Sequence, residues 1–456
     1  MSDPSRKSFS ESLKEVVRAL AALAVVVFAF WRMGLLNNPD PMGGRLFALG
    51  FLVLAGTAGG RIAALIGLPR LTGYLAAGLI SGPSVCGLVT KDQAEGLRLI
   101  NGLALALIAL QAGCEFTNSM LRRNFRSLMC GTLGHTVVMG LGMTAVVFFT
   151  VKYLEVFPGL DWRGLLAVAA MFAVVAVSKS PAAVVAVIGE TRSRGELTDH
   201  ALGIVVILDV LVLALFSIVL LLARNQLGGA ATEMDFDELK HLGVELIASV
   251  AAGSSFGLLI ITYFKFIARE RLLFVAAAAY GITAFCRYFG YDTMLVFVVA
   301  GYIVTNVSRQ GEPLIHTIES MSSVVMIVFF ATAGASLHIE EIVAAWQLAL
   351  VVFTGRAALT WTASRVGHIL AKDTGVVRGY GFTPFVSQAG LSLGLAIIIS
   401  ERLPGLGHKL SALIIAVIAV NEIVGPALFK WGLHRAGEIG QRDLAPQEKE
   451  SHPSPT

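Results

Sequence analysis

Charge is scarce in this 456-residue chain: Asp, Glu, Lys and Arg together make up 14% of it, roughly half the share of a soluble globular domain. With 55% hydrophobic residues and a mean hydropathy of +0.75, that scarcity excludes a soluble enzyme and a disordered scaffold. A net charge of +4 leaves no footprint for a nucleic acid. Cysteine is equally sparse. Cys86, Cys114, Cys130 and Cys286 lie far apart in or beside apolar runs, with no CxxC spacing, so neither a zinc site nor a disulfide framework is indicated. Hydrolase signatures are also lacking: there is no HExxH and no GxGD. Gly253-Ser-Ser-Phe-Gly257 matches GxSxG, but it lies inside an apolar run, where the strand-to-helix turn of a nucleophile elbow has no place. Those residues read as small groups for close helix packing. No glycine-rich nucleotide-binding signature follows the last apolar run, and no cofactor is implied.

What the chain has in excess is long apolar sequence. Runs of about 18 to 25 apolar residues span a bilayer as helices. Fourteen are read here: roughly 13–36, 44–67, 69–88, 95–114, 125–154, 164–189, 199–223, 242–264, 272–288, 292–306, 317–337, 343–369, 381–400 and 410–433. The first is too long for a cleaved signal peptide and ends at Arg32 without a small-residue cleavage pattern. Lys and Arg gather on the cytoplasmic side, and a cytoplasmic N-terminus gives the inner ends about twice as many of them as the outer ends. The acidic loop Glu233–Glu238 then falls outside. The expectation is an all-α, multi-pass protein of the plasma membrane, a bacterial inner membrane by this reading, with both termini cytoplasmic. It divides into 1–43, an N-terminus with an extra first helix; 44–433, a transmembrane domain; and 434–456, a polar tail read as disordered.

Transporters often contain inverted repeats. Tyr74-Leu-Ala-Ala-Gly-Leu-Ile80 is echoed by Phe297-Val-Val-Ala-Gly-Tyr-Ile303, and Gln111-Ala-Gly113 by Thr332-Ala-Gly334. Similar offsets match His135 with Arg356, Lys179 with Gln388, and Asp209 with Glu422. Repeats 44–223 and 272–433, joined by the single linker helix 242–264, run in opposite directions across the membrane.

A charge at the bilayer centre costs at least ~2.5–3.5 kcal/mol and marks an ion path or a partner. Four such charges occur: Lys179 and Asp209 in consecutive segments, then Arg356 and Glu422. Two structural salt bridges are the plain reading of them; an ion path at the midplane is the functional one. The short loop Gly189–Thr198 joins the first two segments, and the helical rise places Lys179 and Asp209 level, ~15–17 Å from one face. An ion pair is expected there. Arg356 is expected to meet Glu422, the alternative being an approach to Asp209. Pro181, flanked by Ser178 and Ser180, interrupts its helix, and Thr383-Pro-Phe-Val-Ser-Gln-Ala-Gly390 interrupts the repeat mate with Pro384, Ser387 and Gln388. Matched interruptions point to a transport site. His135 reads as a packing histidine rather than a proton relay, and Glu115 as interfacial.

The run Ile66-Gly-Leu-Pro-Arg-Leu-Thr-Gly-Tyr-Leu-Ala-Ala-Gly-Leu-Ile-Ser-Gly-Pro-Ser84 resembles the second-helix hallmark of the Kef-type cation:proton antiporters, within the sodium/proton exchanger superfamily. Leu110-Gln-Ala-Gly-Cys-Glu115, the Ser178–Pro181 break, Asp209, Phe329-Phe-Ala-Thr-Ala-Gly-Ala-Ser336, Gln388-Ala-Gly390 and Asn421-Glu-Ile-Val-Gly-Pro426 add to it, so that the resemblance covers roughly 44–433. It implies about fourteen helices, two broken helices that cross, and a homodimer whose core moves against a dimerisation domain. It implies Asp209 as the carboxylate that binds a cation or a proton, and Arg356 as the family's basic residue. Two positions depart from the family: Leu208 precedes the aspartate where relatives place Asn, Asp or Gln, and Lys179 stands where they often have Asp, Thr or Ser.

The function expected is secondary antiport of protons for a monovalent cation, Na⁺ or K⁺, by alternating access, with Asp209, Ser178, Ser180 and backbone carbonyls as ligands and Lys179 beside them. Two other readings stay open: a transport-inactive sensor or assembly subunit locked by a Lys179–Asp209 pair, and a transporter of an anionic or organic solute held by Lys179.

Overall fold

The computed structural model describes residues 41–442 except 227–235, 268, 309, 338–345, 389–390 and 404–405, with a few isolated positions before residue 26. The predicted first helix, 13–36, therefore lies outside the described residues but for those isolated positions. All the regular structure described is helical. In chain order the helices are α1 (Pro41–Leu65), α2 (Arg70–Ser81), α3 (Arg98–Glu115), α4 (Asn118–Gly134), α5 (Gly140–Tyr153), α6 (Trp162–Val177), α7 (Pro181–Thr191), α8 (Glu196–Gln226), α9 (Phe236–Phe266), α10 (Arg271–Phe289), α11 (Thr293–Val307), α12 (Gly311–Ala335), α13 (Trp346–Ala371), α14 (Gly375–Tyr380), α15 (Leu391–Arg402) and α16 (Gly407–Ala436). A short helix, Lys91–Gly96, precedes α3.

Among the described residues seven helices are long and apolar enough to cross a membrane, or eight when the bent pair 311–321 and 324–335 counts as one. Of the other predicted segments, 95–114 yields the shorter apolar helix Gly102–Glu115, and the rest differ for visible reasons. The run 69–88 yields a helix of 12 residues, since Pro69 sets its start and Gly82-Pro83 its end. The run 292–306 yields 15 residues. The run 381–400 is broken, and 343–369 carries Arg356, Arg365 and His368 along its length.

The chain folds as two compact units. One contains residues 1–108, 269–284 and 313–340; the other contains 109–268, 285–312 and 341–456. The first has a core of Phe47, Phe51, Leu52, Ala55, Val89 and Leu97, joined by Ala331 and Ala335 of α12. Glycine makes that closeness possible: a methyl at Gly78 of α2 would strike the Ala331 carbonyl, and one at Gly334 of α12 the Leu75 carbonyl. In the second unit α3 meets α11 in the same way, Gly301 lying on the Leu110 carbonyl and Gly113 on the Val298 carbonyl. The residues of the GxSxG match serve the same end, with Gly253 and Gly257 of α9 set against the Val296 and Ala300 carbonyls of α11.

At the centre of the second unit, α6 and α7 are buried throughout the most apolar window of Trp162–Thr191. The tail is predicted to be disordered from 434, but its first residues are ordered. Helix α16 continues to Ala436, and Gly437, in the left-handed conformation at φ +71°, turns the chain back. Gly440 and Arg442 donate from their backbone to the Thr191 and Arg192 carbonyls, and the Arg442 guanidinium pairs with Glu115. These contacts order residues 437–442; 443–456 lie outside the described residues.

Candidate functional site

Between α6 and α7 the helix stops for three residues. Ser178 takes an extended conformation at φ −57°, ψ 145°, and Ser180 caps the second half, its hydroxyl accepting from Ala183 N at 3.1 Å. Pro181 is the first residue of the new helix, where a missing N–H costs nothing. The expected mid-helix proline is thus a start signal. The last carbonyls of α6 still need partners, and side chains from distant elements supply them.

Arg356 of α13 is the main one. Fully buried, it donates from Nε to the Ala176 carbonyl at 3.1 Å and from Nη2 to the Ser178 carbonyl at 3.2 Å. From Nη1 it reaches the Val386 carbonyl at 2.6 Å and Asn421 Oδ1 at 3.1 Å. A second interrupted segment approaches here: α14 ends at Tyr380, Thr383–Phe385 forms a 3₁₀ turn containing Pro384, and α15 resumes at Leu391. Gln388, in that gap, donates to the Val175 carbonyl at 2.7 Å and accepts from Asn421 at 3.2 Å. The guanidinium is a fixed cation at the C-terminal end of α6, where the helix dipole favours positive charge. Ser387 is buried against Gly425 of α16, its hydroxyl without a partner among the described residues.

Both expected ion pairs are absent among the described residues. Glu422 follows Asn421, and one helical step turns a side chain by about 100°. With Asn421 facing Arg356, Glu422 faces elsewhere, and neither of its buried carboxylate oxygens has a partner among the described residues. Lys179, also fully buried, donates from Nζ to the Met139 thioether at 3.3 Å rather than to Asp209. Equal depth did not bring Lys179 and Asp209 together because the break at 178–180 sets the direction of the side chain. Met139 closes a π-helical turn, His135–Met139, between α4 and α5, and its sulfur also accepts from Thr360 at 3.3 Å. His135, on the same turn, bonds Ser364 at 3.1 Å and packs edge-on to Phe385, as a packing histidine would.

Asp209 lies in the middle of α8, 8% exposed, with neither carboxylate oxygen hydrogen-bonded among the described residues. A second carboxylate, that of Asp292, lies within its electrostatic reach and caps α11 by accepting from Leu295 N at 2.6 Å. Sequence reasoning gives Asp292 no role, and Asn421 none beyond its place in the run Asn421–Pro426. Each had a faint signal: an Asp just ahead of an apolar run, and an amide inside one.

The sequence pattern described as sodium/hydrogen exchanger, transmembrane, matches residues 49–434. The chain belongs to the sodium/hydrogen exchanger family. It is therefore a multi-pass membrane protein of a transporter family, not an enzyme. No curated protein matches it by sequence. Among solved structures its fold is similar to that of the sodium proton antiporter MjNhaP1 from Methanocaldococcus jannaschii. The structure at pH 8 aligns with a TM-score of 0.64 at 16% identity over 89% of this chain and 99% of that one. An electron-microscopy structure of the same antiporter aligns at 0.64 and 16% over 86% and 96%. At such identity the likeness concerns the fold.

Proposed function

We propose that this exchanger is a secondary antiporter of the Kef type, moving protons against a monovalent cation, Na⁺ or K⁺, across the plasma membrane by alternating access. The observation that carries this reading is the carboxylate of Asp209, buried in mid-helix with neither oxygen bonded. The buried cations of the unit are engaged elsewhere, Arg356 on carbonyls and Lys179 on a thioether. Such a carboxylate is free to take a proton and a cation in turn, and competition for one site is what antiport requires. In this reading the hydroxyls of Ser178 and Ser180 and the backbone carbonyls of the break supply the further oxygen ligands. Fourteen helices, cytoplasmic termini, a homodimer and two inverted repeats belong to the same proposal. The repeats are supported by the matched glycines: Gly78 and Gly334 meet each other's helices as their echoes Gly301 and Gly113 do.

Lys179 favours one second reading. An amine whose bond goes to sulfur, a weak acceptor, retains capacity for an anionic solute. A locked sensor loses its support, since the pair that would lock it is not made. Purified protein in liposomes with an internal pH dye, scanned through Na⁺, K⁺, Li⁺ and anions, separates the readings. Cation-driven proton movement that disappears in Asp209→Asn is the expected result; anion-driven movement that survives in Asp209→Asn and is lost in Lys179→Met overturns it.

A further inference from the structure

Nine residues ahead of Asp209, near the start of α8, a second set of ionisable groups is bonded into a closed chain. His200 and His368 are each 2% exposed, with rings 5.0 Å apart. Ser127 Oγ donates to Asp373 Oδ2 at 2.8 Å, which uses its one proton. The 3.1 Å contact between Ser127 and His200 Nδ1 is therefore a bond donated by His200. His368 Nδ1 lies 2.9 Å from the same Asp373 oxygen, and a carboxylate accepts. Each ring thus carries its proton on Nδ1 and is complete as a neutral imidazole. Each Nε2 is buried without a partner among the described residues, that of His368 set against Gly381.

A proton taken from water onto either Nε2 makes an imidazolium whose new N–H has no acceptor, beside a second buried ring. The closed chain suits two neutral rings and opposes that charge. The neighbouring charges are balanced or occupied. Asp373 accepts from His368, and Arg365 lies over Trp361. Arg126 donates to the Leu370 carbonyl, and Arg123 pairs with Asp199. On the other side His135 stands within reach of Lys179 and Arg356. Burial therefore disfavours the imidazolium while residues 381–388 stay packed, and acid charges the rings only as that segment comes away.

The pair touches both halves of the site. His200 belongs to α8, the helix of Asp209, and its ring lies 5.8 Å from that of Phe385 in the interrupted segment. We propose that His200 and His368, linked through Ser127 and Asp373, form a proton-binding site separate from Asp209, whose neutral form holds residues 381–388 against α8 and whose protonation releases them. Its effect on transport rests on the antiport reading; its structural step does not.

Asparagine keeps a donor near the Nδ1 position and cannot titrate, so His200→Asn with His368→Asn is the informative variant. Backbone hydrogen exchange of 378–388, corrected for its intrinsic pH dependence, is compared at about pH 8 and about pH 6. The wild type is expected to lose about tenfold of its protection in acid and the double variant less than about twofold. In liposomes the acid limb of the exchange curve then lies about one pH unit lower in the variant. Should the double variant not fold, His200→Asn alone serves, with the acid-induced loss reduced about threefold. Equal protection of the wild type at both pH values, or a folded variant that opens in acid like the wild type, overturns the proposal. Amide exchange is read without transport, so a chain that moves no cation refutes the antiport reading and leaves this result intact.

Discussion

Arg356 and Asn421 are hydrogen-bonded at 3.1 Å, and through that bond the last helix joins the cluster that closes the break between α6 and α7. Removing the guanidinium leaves four buried acceptors with a donor fewer, the carbonyls of Ala176, Ser178 and Val386 and the Asn421 amide oxygen. An unpaired buried acceptor costs about 1–3 kcal/mol, so Arg356→Ala is expected to lower the thermal midpoint sharply. Arg356→Lys rescues little, because an ammonium cannot reproduce the fork. Glu422→Gln is expected to restore nothing in the Arg356→Ala background, the two effects adding within about 0.5 kcal/mol. Rescue by Glu422→Gln in thermal unfolding would restore the ion pair that this geometry lacks.

Met139 accepts from both Lys179 and Thr360, so the sulfur is the expected weak point of the π-helical turn. Met139→Leu conserves volume and removes the acceptor, leaving an amine and a hydroxyl without that bond, at a cost of about 1–3 kcal/mol. Lys179→Met in the same background removes the stranded amine and is expected to recover most of the loss. A double variant no more stable than Met139→Leu alone shows that the amine has other partners.

The clamp on the start of α8 gives a third expectation. Glu438, 5% exposed, accepts from Leu197 N at 2.7 Å and from Thr198 N and Oγ1 at 2.9 and 2.7 Å. It caps the helix of Asp209 from a point about 240 residues away. A carboxylate at a helix N-terminus also meets the favourable end of the dipole. Glu438→Gln is expected to cost about 1–2 kcal/mol and to speed amide exchange at 196–199 before any other part of α8. Uniform exchange along α8 in the variant would refute a local cap.

Much of this was legible in one dimension because long apolar runs and prolines act locally. The runs located the helices, and Ser178–Pro181 with Pro384 located both interruptions. The partners were not legible, for a physical reason: a helix apolar on all sides has no hydrophobic stripe to say which way it faces. Residue counting gave the depth of Lys179 and Asp209, but their directions came from the extended turn at Ser178 and the π-turn ending at Met139. Asn421 and Glu422 illustrate the same limit, since one step decides which of two adjacent polar side chains meets Arg356. His200 and His368 lie far apart in the chain and share no periodic signal.

The last expectation concerns Asp209 itself. Its oxygens make no hydrogen bond among the described residues, so replacing the carboxylate by an amide breaks nothing that holds the fold together. Asp209→Asn is therefore expected to unfold at or above the wild-type temperature in cation-free buffer. The difference should emerge on adding Na⁺ or K⁺. A cation that binds only the folded state stabilises it by an amount that grows with concentration, about 2.7 kcal/mol at a hundred times Kd. The wild type should show that rise, more steeply at alkaline pH, where fewer protons compete for the same carboxylate. Asp209→Asn should show a flat response to both ions, with choline chloride as the ionic-strength control. If its midpoint climbs with Na⁺ or K⁺ as far as that of the wild type, the cation binds elsewhere and Asp209 is not the shared site.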